Sequence, residues 1–299
     1  MSNLQLYVIT VAIWGSTWLA ITFQLGAVPP AVSVVWRFAL ASLILLAYAV
    51  WKRLPLRFTP RDHFWMALQG LFLFGVNYIL TYLSEQYLVS GLVAVTFSLS
   101  VFCNIVGMRV FFGRPINPIG FLAAMLGVVG VGLVFWPELS RFSPSGKEPL
   151  GVVFALAATL VASLGTMLAT HNQRMPVVPV NGFAMMYGAM FVAIYTALAG
   201  NRFAFDWSFA YVASLLYLAL FGSVLAFGAF LTLMKRIGAD RAGYAAVAIP
   251  VVALVLSTLF EDIHWQAPMI LGVGLCLAGN VLMLARGKAI RLGATAAPP

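Results

Sequence analysis

Ten runs of about 20 mostly apolar residues follow one another along the chain, and the stretches between them are too short to form a separate domain. They lie near 4–25, 31–51, 64–84, 90–112, 117–136, 150–170, 180–199, 208–234, 241–260 and 266–286. A helix of that length crosses a hydrocarbon core of roughly 30 Å. Hydrocarbon offers a backbone no outside hydrogen-bond partner, so each run is expected to be helical. Composition agrees: 63% of the 299 residues are apolar and 8% charged, against about 25% charged in a soluble domain. Mean hydropathy is +1.00. The expectation is an all-α integral membrane protein of ten transmembrane helices. Met1–Gln5 lacks a basic start and no small-residue cleavage site follows, so the first helix is expected to be retained.

The net charge of +9 suggests nucleic acid only until its placement is read. Ten crossings put both termini and the even-numbered connections on one side. Of the 17 Lys and Arg, 13 fall there; Arg141, Lys147 and Arg202 fall on the other side, and Arg37 lies inside helix 2. Such an excess marks the cytoplasmic side. The sequence therefore predicts a multi-pass inner (plasma) membrane protein with both termini cytoplasmic, and no nucleic-acid partner. Cys103 and Cys276 fall within helices 4 and 10 and read as small apolar side chains.

A weak repeat runs through the chain. At an offset of 149, Thr17, Leu19, Ala20 and Pro30 meet Thr166, Leu168, Ala169 and Pro179. At an offset of 152, Gly120 and Gly127 of helix 5 meet Gly272 and Gly279 of helix 10. The chain divides into a five-helix half at 1–140, an outer (periplasmic) linker at 141–148, a second half at 149–286 and a cytoplasmic tail at 287–299. Five is odd, so the second half must run through the membrane inverted. Inverted repeats around a midplane site are an architecture of secondary transporters.

These features resemble the drug/metabolite transporter superfamily, in its ten-helix EamA-type branch. The residues that carry the likeness are WGSTW at 14–18, AVPPA at 27–31, VVWRFAL at 34–40 and GADRAGYAAVAIPVVALVLSTLFEDIHWQAPMILGVGLCLAGNVLML at 238–284. Within that branch the chain is most similar to YddG-type exporters of aromatic amino acids and amphiphilic drugs. The resemblance implies a basket of ten helices around a central cavity, with helices 1, 3, 4, 6, 8 and 9 lining it and helices 5 and 10 outside. The first half departs from the pattern. Helix 4 has no proline matching Pro250, and Gly113 stands where the family usually has Glu, so the first-half gate is expected to be built differently.

The candidate site follows from helical faces. Trp51, Trp65, Trp136, Trp207 and Trp265 lie at helix ends and Trp36 near one, as interfacial anchors do. Trp14 and Trp18 lie mid-helix and share a face with Thr17 and Ile21. A buried indole N–H needs a partner, so this face is expected to meet a cavity or other helices. The candidate substrate-binding residues are Trp14, Thr17 and Trp18 on helix 1; Asn77, Tyr78 and Tyr82 on helix 3; Ser100 and Asn104 on helix 4; Ser163, Thr166 and Met167 on helix 6; and Phe227 and Phe230 on helix 8. Interhelical packing is the competing reading of these faces. Pro250 deprives helix 9 of one backbone hydrogen bond and is the candidate gating hinge. Arg37 is expected to be structural, by reaching outward, bonding backbone carbonyls or pairing with Glu85. The small-residue spacings Gly120, Ala124, Gly127 and Gly274, Ala278 suit either packing within the chain or a homodimer.

A lining rich in aromatics, hydroxyls and amides suits a neutral or zwitterionic solute with an apolar body. A sugar phosphate would call for several lysines or arginines there. With no carboxylate in the middle third of any helix, a facilitator or exchanger using alternating access is expected. A proton-coupled exporter, or an importer of another small metabolite, is the alternative. A membrane enzyme is a distant one, because the chain shows no HExxH motif or Cys/His cluster of metal-ligand spacing. No cofactor or metal is expected. The partners expected are a small-molecule substrate and the lipid bilayer, for a monomer or homodimer.

Overall fold

Local signals set the helix starts. Ser2 and Gln5 close a reciprocal capping box, as do Thr59 and Asp62, and Ser208 Oγ accepts from the Tyr211 N–H. Each supplies a partner to amides that a helix start leaves free. Pro30, Pro60 and Pro149 sit in first turns, where a missing N–H costs nothing. Gly113 ends its helix in the left-handed conformation, φ 66°, which a side chain would resist.

A computed structural model describes residues 1–26, 28–113, 118–134, 136, 147–237, 245–261, 263 and 265–294. The linker expected at 141–148 lies outside them except for Lys147 and Glu148. Ala27, Arg114, Glu138, Arg141, Asp240, Arg241, Asp262 and His264 lie outside them too. The helical runs are α1 (Asn3–Thr22), α2 (Pro30–Trp51), α3 (Pro60–Glu85), α4 (Ser90–Phe112), α5 (Pro118–Val134), α6 (Glu148–Asn172), α7 (Val177–Leu198), α8 (Phe209–Ile237), α9 (Ala245–Phe260) and α10 (Ala267–Ala294). No strand occurs among the described residues. Among the described residues seven helices are long and apolar enough to cross a membrane; the apolar parts of α5, α9 and α10 are shorter, at Met125–Val134, Ala248–Phe260 and Ala267–Gly279. Helix α10 continues to Ala294, through most of the stretch read as a tail.

Three helices are irregular in places no sequence signal marked. Helix α3 widens into π-type turns at Gly70–Val76, and α8 does so at Leu218–Leu225. Helix α4 breaks at Ser98 and Leu99, between Ser90–Phe97 and Ser100–Phe112. That bend needs no proline, which answers the missing counterpart of Pro250; Pro250 itself lies buried inside α9.

Helix packing falls into matched pairs. Helix α1 packs on α8 and α9, and α6 packs on α3 and α4; α2 meets α7 and α8, and α7 meets α3. Helix α4 meets α9, and α5 pairs with α10. Exchanging each helix for the one five places later returns these pairings. Three contacts, α1–α3, α1–α4 and α3–α4, break the pattern among the described residues. Helix α1 packs on the first part of α4, whereas α6 and α9 share no comparable contact among the described residues.

Glycines allow the closest approaches. A methyl at Gly70 would lie 2.2 Å from the Ala184 carbonyl oxygen, so α3 and α7 touch through their backbones. Gly130 and Gly272 do the same for α5 and α10: a methyl on either would lie within 3 Å of the other's carbonyl oxygen. Gly274 borders open space, so α5 and α10 meet inside the chain through a neighbouring glycine. Cys103 and Cys276 are free thiols.

Candidate functional site

Helix α1 brings its aromatic face against two different helices. The Trp14 indole N–H donates to the Gly222 carbonyl at 3.1 Å, within the π-type turns of α8. Its ring meets Phe227 edge-on at 4.8 Å and Phe230 at 5.0 Å. A methyl at Gly222 would lie 2.8 Å from Thr17 Cγ2 and 3.2 Å from Arg37 Nη2, so a side chain there would push α1 from α8. Trp18 turns the other way, onto Phe97 of α4 at 4.8 Å. Trp14, Trp18, Phe97 and Phe230 are half-buried, and Trp18 Nε1 is enclosed without a protein partner.

Arg37 occupies the adjoining layer and is 1% exposed. Its Nε donates to Ser223 Oγ at 3.1 Å, and its guanidinium lies over Tyr78 at 4.5 Å and Phe38 at 5.3 Å. Of the three roles expected for Arg37, reaching outward is excluded by its burial, and its hydrogen bond goes to a hydroxyl. Among the described residues Arg174 and Asp62 form the one salt bridge, at 2.7 Å, so Glu85 is not paired with it. Tyr82 is fully buried and donates to Gln24 Oε1 at 2.7 Å. Glu85 is 6% exposed, and neither of its carboxylate oxygens has a protein partner.

Helices α4 and α6 meet through Ser163 Oγ and Asn104 Oδ1 at 2.7 Å, and Met167 packs over Gly107. Thr166 bonds the Ala162 carbonyl and Asn77 the Leu73 carbonyl, so both polar groups are satisfied within their own helices. Ser100 is half-buried, as is every residue from 101 to 106. The structure thus joins Trp14, Thr17, Phe227, Phe230, Arg37 and Tyr78 in one contact network. Asn104, Ser163 and Met167 form a second one at the α4–α6 contact.

Sequence reading missed Gly222, Gln24 and a clasp between the start of α4 and the end of α9. Glu261 accepts from the Ser90 N–H at 3.0 Å and from the hydroxyls of Ser90 and Ser257; Gly91 N–H donates to Ser257 Oγ at 3.2 Å. A carboxylate facing free amides at a helix start is favourable. Ser90 at the start of an apolar run was the available signal; its partner lies 171 residues away. A second missed set, Gln69, Asn172 and Asn181, ties α3, α6 and α7 by bonds of 2.8 and 3.1 Å. Among the described residues no three His, Cys, Asp or Glu gather as metal ligands would.

The sequence model of the EamA-like transporter family matches residues 2–136 and again 149–285. The chain belongs to the EamA-like transporter family. It is a membrane transporter and not an enzyme. EamA-like relatives include the inner membrane transporter YedA of Escherichia coli (strain K12), itself uncharacterised, 25% identical over 85% of this chain and 83% of its own. Others are an uncharacterised transporter of Archaeoglobus fulgidus, 23% identical over 92% and 96%, and the uncharacterised YoaV of Bacillus subtilis (strain 168), 24% identical over 96% and 100%. A protein known from its crystal structure shares the fold, with a TM-score of 0.71 over 96% of this chain and 98% of the other at 15% identity.

Proposed function

We propose that this EamA-like transporter exports amino acids, aromatic ones by preference, and amphiphilic organic molecules across the inner membrane. Two inverted five-helix halves, 1–140 and 149–286, enclose the site. The family match repeated in each half, the pairings that return when each helix is moved five places, and the paired π-type turns of α3 and α8 support this division. The observation that carries the substrate reading is a pair of half-buried aromatic contacts on either side of α1, Trp14 with Phe230 and Trp18 with Phe97. Such rings stack flat apolar bodies.

Alternating access is the mechanism this architecture suits. In an inverted repeat, a contact on one side of the membrane has its mate on the other. The α1–α4 contact and the Glu261 clasp close the side opposite Met1. With the termini cytoplasmic, the closed side is the outer one. Helices α4, at its break, and α9, at Pro250, bend as gates.

Counterflow tests this reading. Liposomes containing the protein and loaded with unlabelled phenylalanine should take up labelled phenylalanine without an ion gradient, and Trp14→Ala or Tyr78→Ala should slow it about tenfold, the equivalent of ~1.4 kcal/mol. Absence of exchange by folded wild-type protein with any amino acid overturns the substrate assignment. Glu85 favours a second reading, proton coupling, because a buried ionisable group without a partner commonly serves ion transfer. An imposed pH gradient that drives accumulation, lost in Glu85→Gln, would establish it over the facilitator.

A further inference from the structure

The aromatic contacts enclose one charge, Arg37, that no carboxylate among the described residues bonds; Glu85 lies within electrostatic reach of it without forming an ion pair. The guanidinium of Arg37 stands where α1, α2, α3 and α8 converge: Tyr78 lies under it, Ser223 holds Nε, and Gly222 leaves room for Nη2 beside Thr17. Its Nη1 is buried with no hydrogen-bond partner, and no carboxylate forms an ion pair with it among the described residues. A ring face and one hydroxyl attract a cation without neutralising it. Buried cations are expensive unless paired, and an intramembrane one that no carboxylate bonds is a functional-site candidate.

We propose that Arg37 receives the carboxylate of the transported solute. The substrates are then molecules with one carboxylate on an aromatic or apolar body, a class that includes amino acids and excludes simple amines. This deepens the exporter reading and rests on it. The free Nη1 points to an end-on approach, since Nε is already held by Ser223. A phosphate dianion fits less well, because Arg37 is a single cation and the acid Glu85 stands within electrostatic reach of it. The Trp14 and Tyr78 rings, which contact the same region, would hold the apolar body.

Thermal melting of the purified full-length protein tests the assignment, with phenylalanine, phenylacetate, phenylalanine methyl ester and phenethylamine as probes. Phenylalanine and phenylacetate should raise the melting midpoint; the ester and the amine should need about tenfold higher concentration or have no effect, as the loss of a charge-assisted contact dictates. Arg37→Lys should weaken the two acids, and Arg37→Gln should abolish their advantage. If Arg37→Gln does not fold, the acid–ester comparison on the wild type decides alone. Equal stabilisation by acid, ester and amine overturns the proposal, as does the absence of stabilisation by any probe. Arg37→Gln and Glu85→Gln that melt alike and keep the acid preference would show an internal pair instead, and also overturn it. Binding of acids without amino-acid exchange in liposomes would remove the exporter reading and leave Arg37 as the carboxylate site. Exchange of phenylalanine that the ester inhibits as well as the acid would do the reverse.

Discussion

Tyr82 and Gln24 show how tightly single residues are committed where α3 meets the end of α1. The Tyr82 hydroxyl donates to Gln24 Oε1 at 2.7 Å between α3 and the end of α1, and both side chains are buried. Tyr82→Phe would leave an amide oxygen enclosed without its donor, a loss of ~1–3 kcal/mol. The expected result is a lower melting midpoint, largely recovered when Gln24→Leu removes the other partner as well. A double variant no more stable than Tyr82→Phe would mean the bond is not what Tyr82 contributes. At this scale the sequence was informative about faces and silent about neighbours. The spacing of Trp14, Thr17 and Trp18 put them on one side of a helix, but that Trp14 faces Gly222 and Trp18 faces Phe97 depends on how α8 and α4 cross α1. Arg37 stood out as a charge in an apolar run; its unpaired Nη1 could come only from coordinates.

Elements were legible where composition changes and illegible where only curvature does. The apolar runs located the helices to within a few residues, apart from the end of α10, because leaving hydrocarbon requires polar residues and caps. The π-type turns of α3 and α8 and the break in α4 left no such mark, since GLFLFGV and LALFGSVL are as apolar as ordinary helix. At the start of the π-type turns of α3, Gly70 packs tightly against α7, and a substitution tests that contact. A methyl at Gly70 would fall 2.2 Å from the Ala184 carbonyl oxygen, so Gly70→Ala should part α3 from α7 and cost ~1–3 kcal/mol, as overpacking does. Gly274→Ala, with open space around it, should be neutral or stabilising by up to about 1 kcal/mol. Comparing the melting midpoints of the two variants checks both. Equal effects would show that α3 and α7 can separate freely.

At the scale of the molecule, an odd helix count in each half already implied inversion, and the repeated family match and matched pairings support it. The conformation was not legible, because which side is closed depends on contacts such as Glu261 with Ser90, 171 residues apart. Those contacts offer the most direct test of an exporter that works by alternating access. The Ser90 and Ser257 hydroxyls both bond Oε2 of Glu261, so cysteines at these positions would be close enough to cross-link. In a protein lacking Cys103 and Cys276, Ser90→Cys with Ser257→Cys should exchange phenylalanine when reduced. It should stop when cross-linked with a short thiol reagent and recover on reduction, while either single variant is unaffected by the reagent. Undiminished exchange by fully cross-linked protein would contradict the account, because solute would then cross without the far side opening.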